Sequence, residues 1–178
     1  MSRLENKQIM GYFPIEERHY PALLSLVAPA TPAVRLLDPF AGEGAFLEAA
    51  ARAWNVTPYA NELDGDRAAA CLARFGATQA VRCDVERLVA SNNAFGAAWL
   101  NPPYDHDAGA VGSKRVEFRY LRHAWKWVQD GGLALWQPTP RVGSRGVSGR
   151  PIADSDRARE GIGVDQAEAQ IIAWPERG

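Results

Sequence analysis

Apolar residues fall into two rhythms along this chain, short continuous runs and longer stretches in which they return every third or fourth position. The first rhythm marks buried strands and the second amphipathic helices. Tyr20, Leu23, Leu24 and Val27 predict a helix within 16–27, started or interrupted near Pro21 and ended by Pro29, Thr31 and Pro32. A strand at 33–37 leads into the turn 38–44 and an alanine-rich helix, Ala45–Trp54. A second strand, 56–61, ends in Glu62-Leu63-Asp64 and precedes a helix at 66–74. A third, 79–83, ends in Asp84-Val85 and a short helical turn at 86–90. The fourth, Phe95–Leu100, runs into Asn101-Pro102-Pro103-Tyr104. A loop at 106–113 precedes an aromatic-rich helix at 116–130, capped by Gly131-Gly132, and a fifth strand at 133–136. Strands alternating with helices predict an α/β chain with a parallel sheet covered on both faces.

After Pro138 the pattern lapses. Residues 141–159 are rich in Gly, Ser, Arg and Asp and read as loop or disorder, and only 170–174 is a candidate strand. The expected organisation is one domain over 1–138 and a divergent or poorly ordered tail over 139–178.

Ligands of parallel sheets sit beyond the C-terminal strand ends. Asp38, Glu62, Asp84 and Asn101 all fall there. Gly42 and Gly44 let the backbone approach a ligand and open the amides at the next helix's start. The third glycine of the dinucleotide fingerprint is missing, and Asp38 would repel a pyrophosphate but welcome an amine. Glu62 follows the turn by close to the stride of about 20 residues at which an acid meets ribose hydroxyls; the alternative is a surface carboxylate beside Asp64. Asp84 suits an adenine amine or an N-cap for the turn that follows it. Tyr12, Phe13 and Pro14 would either close over a ligand or staple the first helix.

The proline corner is stiff and polar. Proline removes a backbone donor, so its neighbouring carbonyls are open to a ligand. Asn101 adds a side-chain acceptor and Tyr104 a flat face, a combination suited to a planar group bearing an NH2.

The bulk numbers narrow the field. The chain has 178 residues and a net charge of −1, so any nucleic-acid contact must come from a local patch. Lys114 and Arg115 could meet phosphate, although a two-residue basic step is commonly plain surface. Tyr120, Trp125 and Trp127 read as helix core and rim. Cys71 and Cys83 make neither a disulfide framework nor metal spacing, and His19, His106 and His123 are scattered. No apolar run approaches the length of a membrane span, and no signal peptide is apparent. The expected address is a reducing cytoplasm.

Taken together, 11–14, 38–44, 61–64, 83–85 and 101–104 resemble the class I S-adenosylmethionine-dependent methyltransferases, within them the adenine-specific amino-methyltransferases. The resemblance covers roughly 8–138. It implies a Rossmann-like sheet flanked by helices, here incomplete at the C-terminal strands, and S-adenosylmethionine as cofactor without a metal. It further implies that Asp38 and the backbone of Phe40, Ala41, Gly42 and Gly44 hold the methionine moiety. Glu62 would take the ribose, Leu63 the adenine face, and Asp84 with Val85 the adenine amine, under a lid of Tyr12, Phe13 and Pro14. Asn101, counted also among the cofactor-binding residues, and the Pro102 carbonyl would accept the N–H groups of the target amine, the former through Oδ1, with Pro103 stiffening the corner and Tyr104 stacking on the base. Nucleic acid is the implied partner, DNA ahead of RNA. RNA amine methylation, protein glutamine methylation and a non-catalytic cofactor-binding subunit are the alternatives. Lacking its last strands, the sheet edge beside strand five would need a protein partner or a second copy.

Overall fold

The computed structural model describes residues 14–103, 116–136 and 170–173. A 3₁₀ turn at Glu17–His19 runs into α1 (Tyr20–Leu24), with Pro21 in its first turn, where a missing N–H costs nothing. Then follow β1 (Arg35–Asp38), α2 (Ala45–Trp54), β2 (Thr57–Glu62), α3 (Gly65–Phe75), β3 (Ala80–Arg82), β4 (Phe95–Leu100), α4 (Val116–Trp125), β5 (Val128–Trp136) and β6 (Gln170–Ala173).

The strands form one sheet in the order β3-β2-β1-β4-β5-β6. β1 to β5 are parallel and β6 is antiparallel to β5. The order reverses between β1 and β4, the switch point at which an open sheet leaves a ligand crevice. Successive residues alternate between the two faces. Leu36, Trp99 and Leu135 bury into one core with Phe46, Leu47 and Trp54 of α2 and Cys71 of α3. Leu37, Ala98, Leu100, Ala134 and Trp136 bury into the other with Val85, Ala124 and Trp127.

Three expectations are corrected. The helix begun at Val116 stops at Trp125, and Gly131-Gly132 lies inside β5 rather than capping the helix. The register jumps from Phe95↔Val128 to Ala97↔Leu133, so β5 carries an extended bulge opposite Gly96. Gly131, at φ +73, turns the bulge, and a Cβ on Gly132 would come within 2.8 Å of the Gly96 carbonyl. The short helical turn expected at 86–90 is a turn at 85–87 instead: Arg87 N–H donates to the Asp84 carbonyl (2.8 Å) and Leu88 N–H to the Val85 carbonyl (3.2 Å). The edge beside β5 is not open, because β6 pairs along it from Leu133↔Ala173 to Trp136↔Gln170. The loops at 106–113 and 141–159 lie outside the described residues.

Candidate functional site

The register places the polar strand ends together. Asp38 sits level with Ala60 of β2, and Leu37 with Ala98 of β4. Glu62 and Asn101 therefore both lie two residues further out than Asp38, on strands either side of it. At the usual strand spacing their backbones stand about 10 Å apart across the sheet tips. Asp84 follows β3 on the same edge.

Asp38 is 3% exposed and its Oδ1 accepts the Phe40 N–H at 3.0 Å. Burial pushes its carboxyl up to about 8; the Phe40 N–H opposes this and the nearby Glu62 charge adds to it. No cationic side chain among the described residues pairs with it. A cationic group entering the crevice would favour ionisation of this acid, which has no other cationic partner among the described residues.

The turn after Asp38 is held from β2. Asn61 Nδ2 donates to the Pro39 carbonyl (3.0 Å), and the Asn61 carbonyl accepts the Ala41 N–H (2.9 Å). Gly42 N–H donates to Glu62 Oε2 at 2.8 Å. From α3, the Cys71 thiol donates to the Gly42 carbonyl at 3.1 Å. Burial, helped by the Asp38 and Glu62 charges, pushes that thiol up to about 12, so it remains an S–H donor. Gly42 and Gly44 take the left-handed φ values +58 and +78. A Cβ on Gly44 would meet Phe75 Cε2 at 2.7 Å. Gly44 is also the N-cap of α2 and supplies no side-chain cap. The amides of that helix start are therefore available to an anion, next to a buried acid that suits an ammonium.

Glu62 is no surface carboxylate. It is 6% exposed, and four protein donors converge on it: Gly42 N–H, Leu63 N–H (3.0 Å), Asp64 N–H (2.9 Å) and Arg67 Nη2 (2.9 Å). Three of these crowd onto Oε1 and only the Gly42 N–H reaches Oε2, so Oε2 keeps acceptor room for a ribose hydroxyl. Leu63, beside it, leaves 54% of its surface exposed, an apolar contact open to a flat ring. Asp64 caps α3 by accepting the Asp66 and Arg67 N–H groups; the Arg67 amide leads the causes that hold its carboxyl below the usual range. Asp84 Oδ1 accepts the Glu86 N–H at 3.0 Å, so its turn-capping role is present. Val85 beside it is buried.

Asn101 is half-buried, Pro102 buried and Pro103 half-buried. Phe40, in the turn, packs its ring 5.1 Å from that of Tyr120 on α4. Of the remaining sequence candidates, Pro14 is exposed, and Tyr12, Phe13 and Tyr104 lie outside the described residues. The sequence reading gave no separate role to Asn61, Arg67 or Cys71, although all three brace the turn or its acid. The signal for Asn61 was a polar side chain just inside a strand end. The other two are brought to the site only by helix packing. No group of three or more His, Cys, Asp or Glu among the described residues is placed to hold a metal.

The chain matches an uncharacterised methyltransferase family, DUF6094, over residues 1–141. No curated protein matches it. Among solved structures, it resembles the Escherichia coli protein yhhF, described as a methyltransferase, with 20% identity and a TM-score of 0.63 over 94% of this chain and 90% of that one. A geranyl diphosphate methyltransferase with sinefungin superposes at 16% identity and a TM-score of 0.52, over 68% of this chain and 44% of that one. A phosphoethanolamine N-methyltransferase from Haemonchus contortus, bound to S-adenosyl-L-methionine, superposes at 18% identity and 0.52, over 68% and 28%. The chain thus spans less than half the length of these last two, and at such identities the likeness is one of fold.

Proposed function

Since the chain belongs to the uncharacterised methyltransferase family DUF6094, we propose that it transfers a methyl group from S-adenosylmethionine to the exocyclic amine of adenine in DNA. The observation that carries this reading is the placement of a buried Asp38, with no cationic partner among the described residues, between Glu62 and Asn101, at the foot of a glycine turn and an uncapped helix start.

S-adenosylmethionine supplies a methyl already activated on a sulfonium. The protein's part is therefore positioning and charge stabilisation. Asp38 receives the ammonium and the first amides of α2 the carboxylate of the methionine portion. Glu62 accepts from the ribose through Oε2, which takes only the Gly42 N–H from the protein, and Leu63 lies against the adenine. Asp84 accepts from the adenine amine with the oxygen its turn leaves over. At the far side of the crevice Asn101 Oδ1 and the Pro102 carbonyl accept the two N–H groups of the target amine. That grip turns the nitrogen lone pair out of conjugation and toward the donor. Tyr104 stacks on the target base, and Tyr12, Phe13 and Pro14 cover the cofactor. A base inside a duplex is out of reach of this crevice, so the DNA is flipped or single-stranded. Stacking offsets roughly 1–3 kcal/mol of that cost.

Transfer of labelled methyl to DNA, RNA and protein pools tests the reading. Label in DNA adenine, lost in Asn101→Ala, supports it. Label confined to RNA amines or to protein glutamine replaces the substrate, and cofactor binding without transfer to any pool removes the catalytic role.

A further inference from the structure

From Arg119 onward, the exposed positions on α4 and the turn that follows it are Arg119, Arg122 and Lys126. Their spacing of three and then four residues puts them on one face of a helix. The faces turned inward from this stripe, through Tyr120, Leu121, Ala124 and Trp125, pack on the sheet. The exposed positions of α2 and α3 are mixed, with Ala45, Arg52 and Ala53 on one and Asp66, Ala69, Leu72, Ala73 and Arg74 on the other. Among the described side chains of the helices, exposed positions that are cationic throughout occur on α4. They stand out in a chain whose net charge is −1.

The stripe starts at the catalytic edge. α4 follows β4 and must run back down the sheet to begin β5. Arg119 Nε lies 2.7 Å from Glu86, in the turn that Asp84 opens at that edge. Lys126 lies seven residues further along, about 10 Å down the helix axis. No carboxylate among the described side chains pairs with Arg122 or Lys126. The Arg119–Glu86 pair has both partners about half exposed, the kind of contact that contributes little and is readily exchanged for a phosphate. Arg119 and Lys126 each lie 5.6 Å from an aromatic centroid, Tyr120 and Trp127, which limits their sweep.

We propose that this face of α4 is the track for the phosphate backbone of the nucleic-acid substrate, leading the strand to the proline corner. The inference rests on the nucleobase-amine reading above. It predicts that the protein grips its substrate mainly by charge, without regard to sequence, along a surface separate from the catalytic corner.

The test is the double variant Arg122→Gln, Lys126→Gln in the full chain, both positions being exposed. Binding of a short labelled single-stranded oligonucleotide is followed by anisotropy over a range of salt. The variant is expected to bind about tenfold more weakly at low salt. Its slope of log K against log salt should be shallower by roughly one to two units. Affinity for S-adenosylmethionine, measured by calorimetry, stays at the wild-type value and shows that the fold is intact. Wild-type affinity and slope in the variant overturn the track, even if the wild-type enzyme methylates nucleic acid. Unchanged oligonucleotide binding with impaired methylation of an acidic protein also overturns it and assigns the face to a protein partner. Failure of the wild-type enzyme to methylate any nucleic acid is a separate result, and it overturns the reading on which the track rests.

Discussion

The Gly42 amide donates to Glu62 Oε2 at 2.8 Å, joining the glycine turn after β1 to the acid at the end of β2. The carboxylate proposed to hold a ribose is thus also the group that holds the turn. Arg67, 12% exposed at its side chain, approaches the other oxygen at 2.9 Å and balances the buried charge. Glu62→Gln keeps the shape but replaces one acceptor by an NH2 facing donors. A buried donor left without a partner costs about 1–3 kcal/mol, a fall of roughly 3–10 °C in melting temperature for a chain of this size. Cofactor affinity is expected to fall at least tenfold as well. Thermal melts and calorimetry on the same preparation check both. A variant that loses affinity at unchanged melting temperature would mean that the carboxylate serves the ligand alone.

Asp38 sets a pH dependence. Its carboxyl titrates at about 8 in the folded chain, raised by burial above its ordinary value of 3.8. Between those values the unfolded chain has released a proton that the folded chain keeps. Folding stability should therefore fall as pH rises from about 4 to about 8 and level off above that. Asp38→Asn retains an oxygen for the Phe40 amide and removes the penalty. It is expected to raise the melting temperature at pH 8 by several degrees and change it little near pH 4. Binding of S-adenosylmethionine near pH 6.5 should release close to one proton, since the ligand's ammonium favours the ionised acid, whereas Asp38→Asn should release none. Calorimetry in buffers of different ionisation enthalpy measures this. Equal proton release in both proteins would detach Asp38 from the ammonium.

Gly44 carries two constraints that separate cleanly. Its φ of +78 disfavours any side chain, and a Cβ there would lie 2.7 Å from Phe75 Cε2 and 3.2 Å from Cys71 Sγ. Gly44→Ala is expected to cost about 2–4 kcal/mol, of which the left-handed backbone accounts for roughly 1–2. Adding Phe75→Leu should recover the steric part and leave the backbone part. Chemical denaturation of the single and double variants reads the difference. Full recovery by Phe75→Leu would show that the backbone conformation costs nothing there.

The elements were legible where local pattern decides them. The period of apolar residues marks α2 at its observed ends, and β4 likewise, because each buries a face that its own sequence defines. The polar ends of β1, β2 and β4 were legible for the same reason, since a strand must leave the core where its apolar run stops. What stayed hidden depends on partners distant in sequence. Gly131-Gly132 has the composition of a helix cap, but pairing of the flanking Val128 and Leu133 with Phe95 and Ala97 draws it into a strand as a bulge packed close to Gly96. β6 is a short apolar run whose place beside β5 follows from an edge that needed covering. Asn61, Arg67 and Cys71 brace the turn through contacts made only after β2 and α3 have packed against it.

Asn101 separates chemistry from binding. It follows β4 on the far side of β1 from Glu62, so its side chain is assigned to the acceptor of the methyl group rather than to the donor. Asn101→Ala removes a preorganised acceptor for charge developing on the target nitrogen. Loss of one such group costs about 10²–10³ in kcat. Affinity for S-adenosylmethionine should change less than threefold, because Asp38, the turn and Glu62 are untouched. Single-turnover transfer from labelled cofactor, set beside calorimetric binding, distinguishes the two effects. Were Asn101→Ala to turn over at the wild-type rate, the amine would have to be held elsewhere. A variant with normal kcat and weakened cofactor binding would move Asn101 to the donor side of the crevice, leaving the grip on the amine to the Pro102 carbonyl.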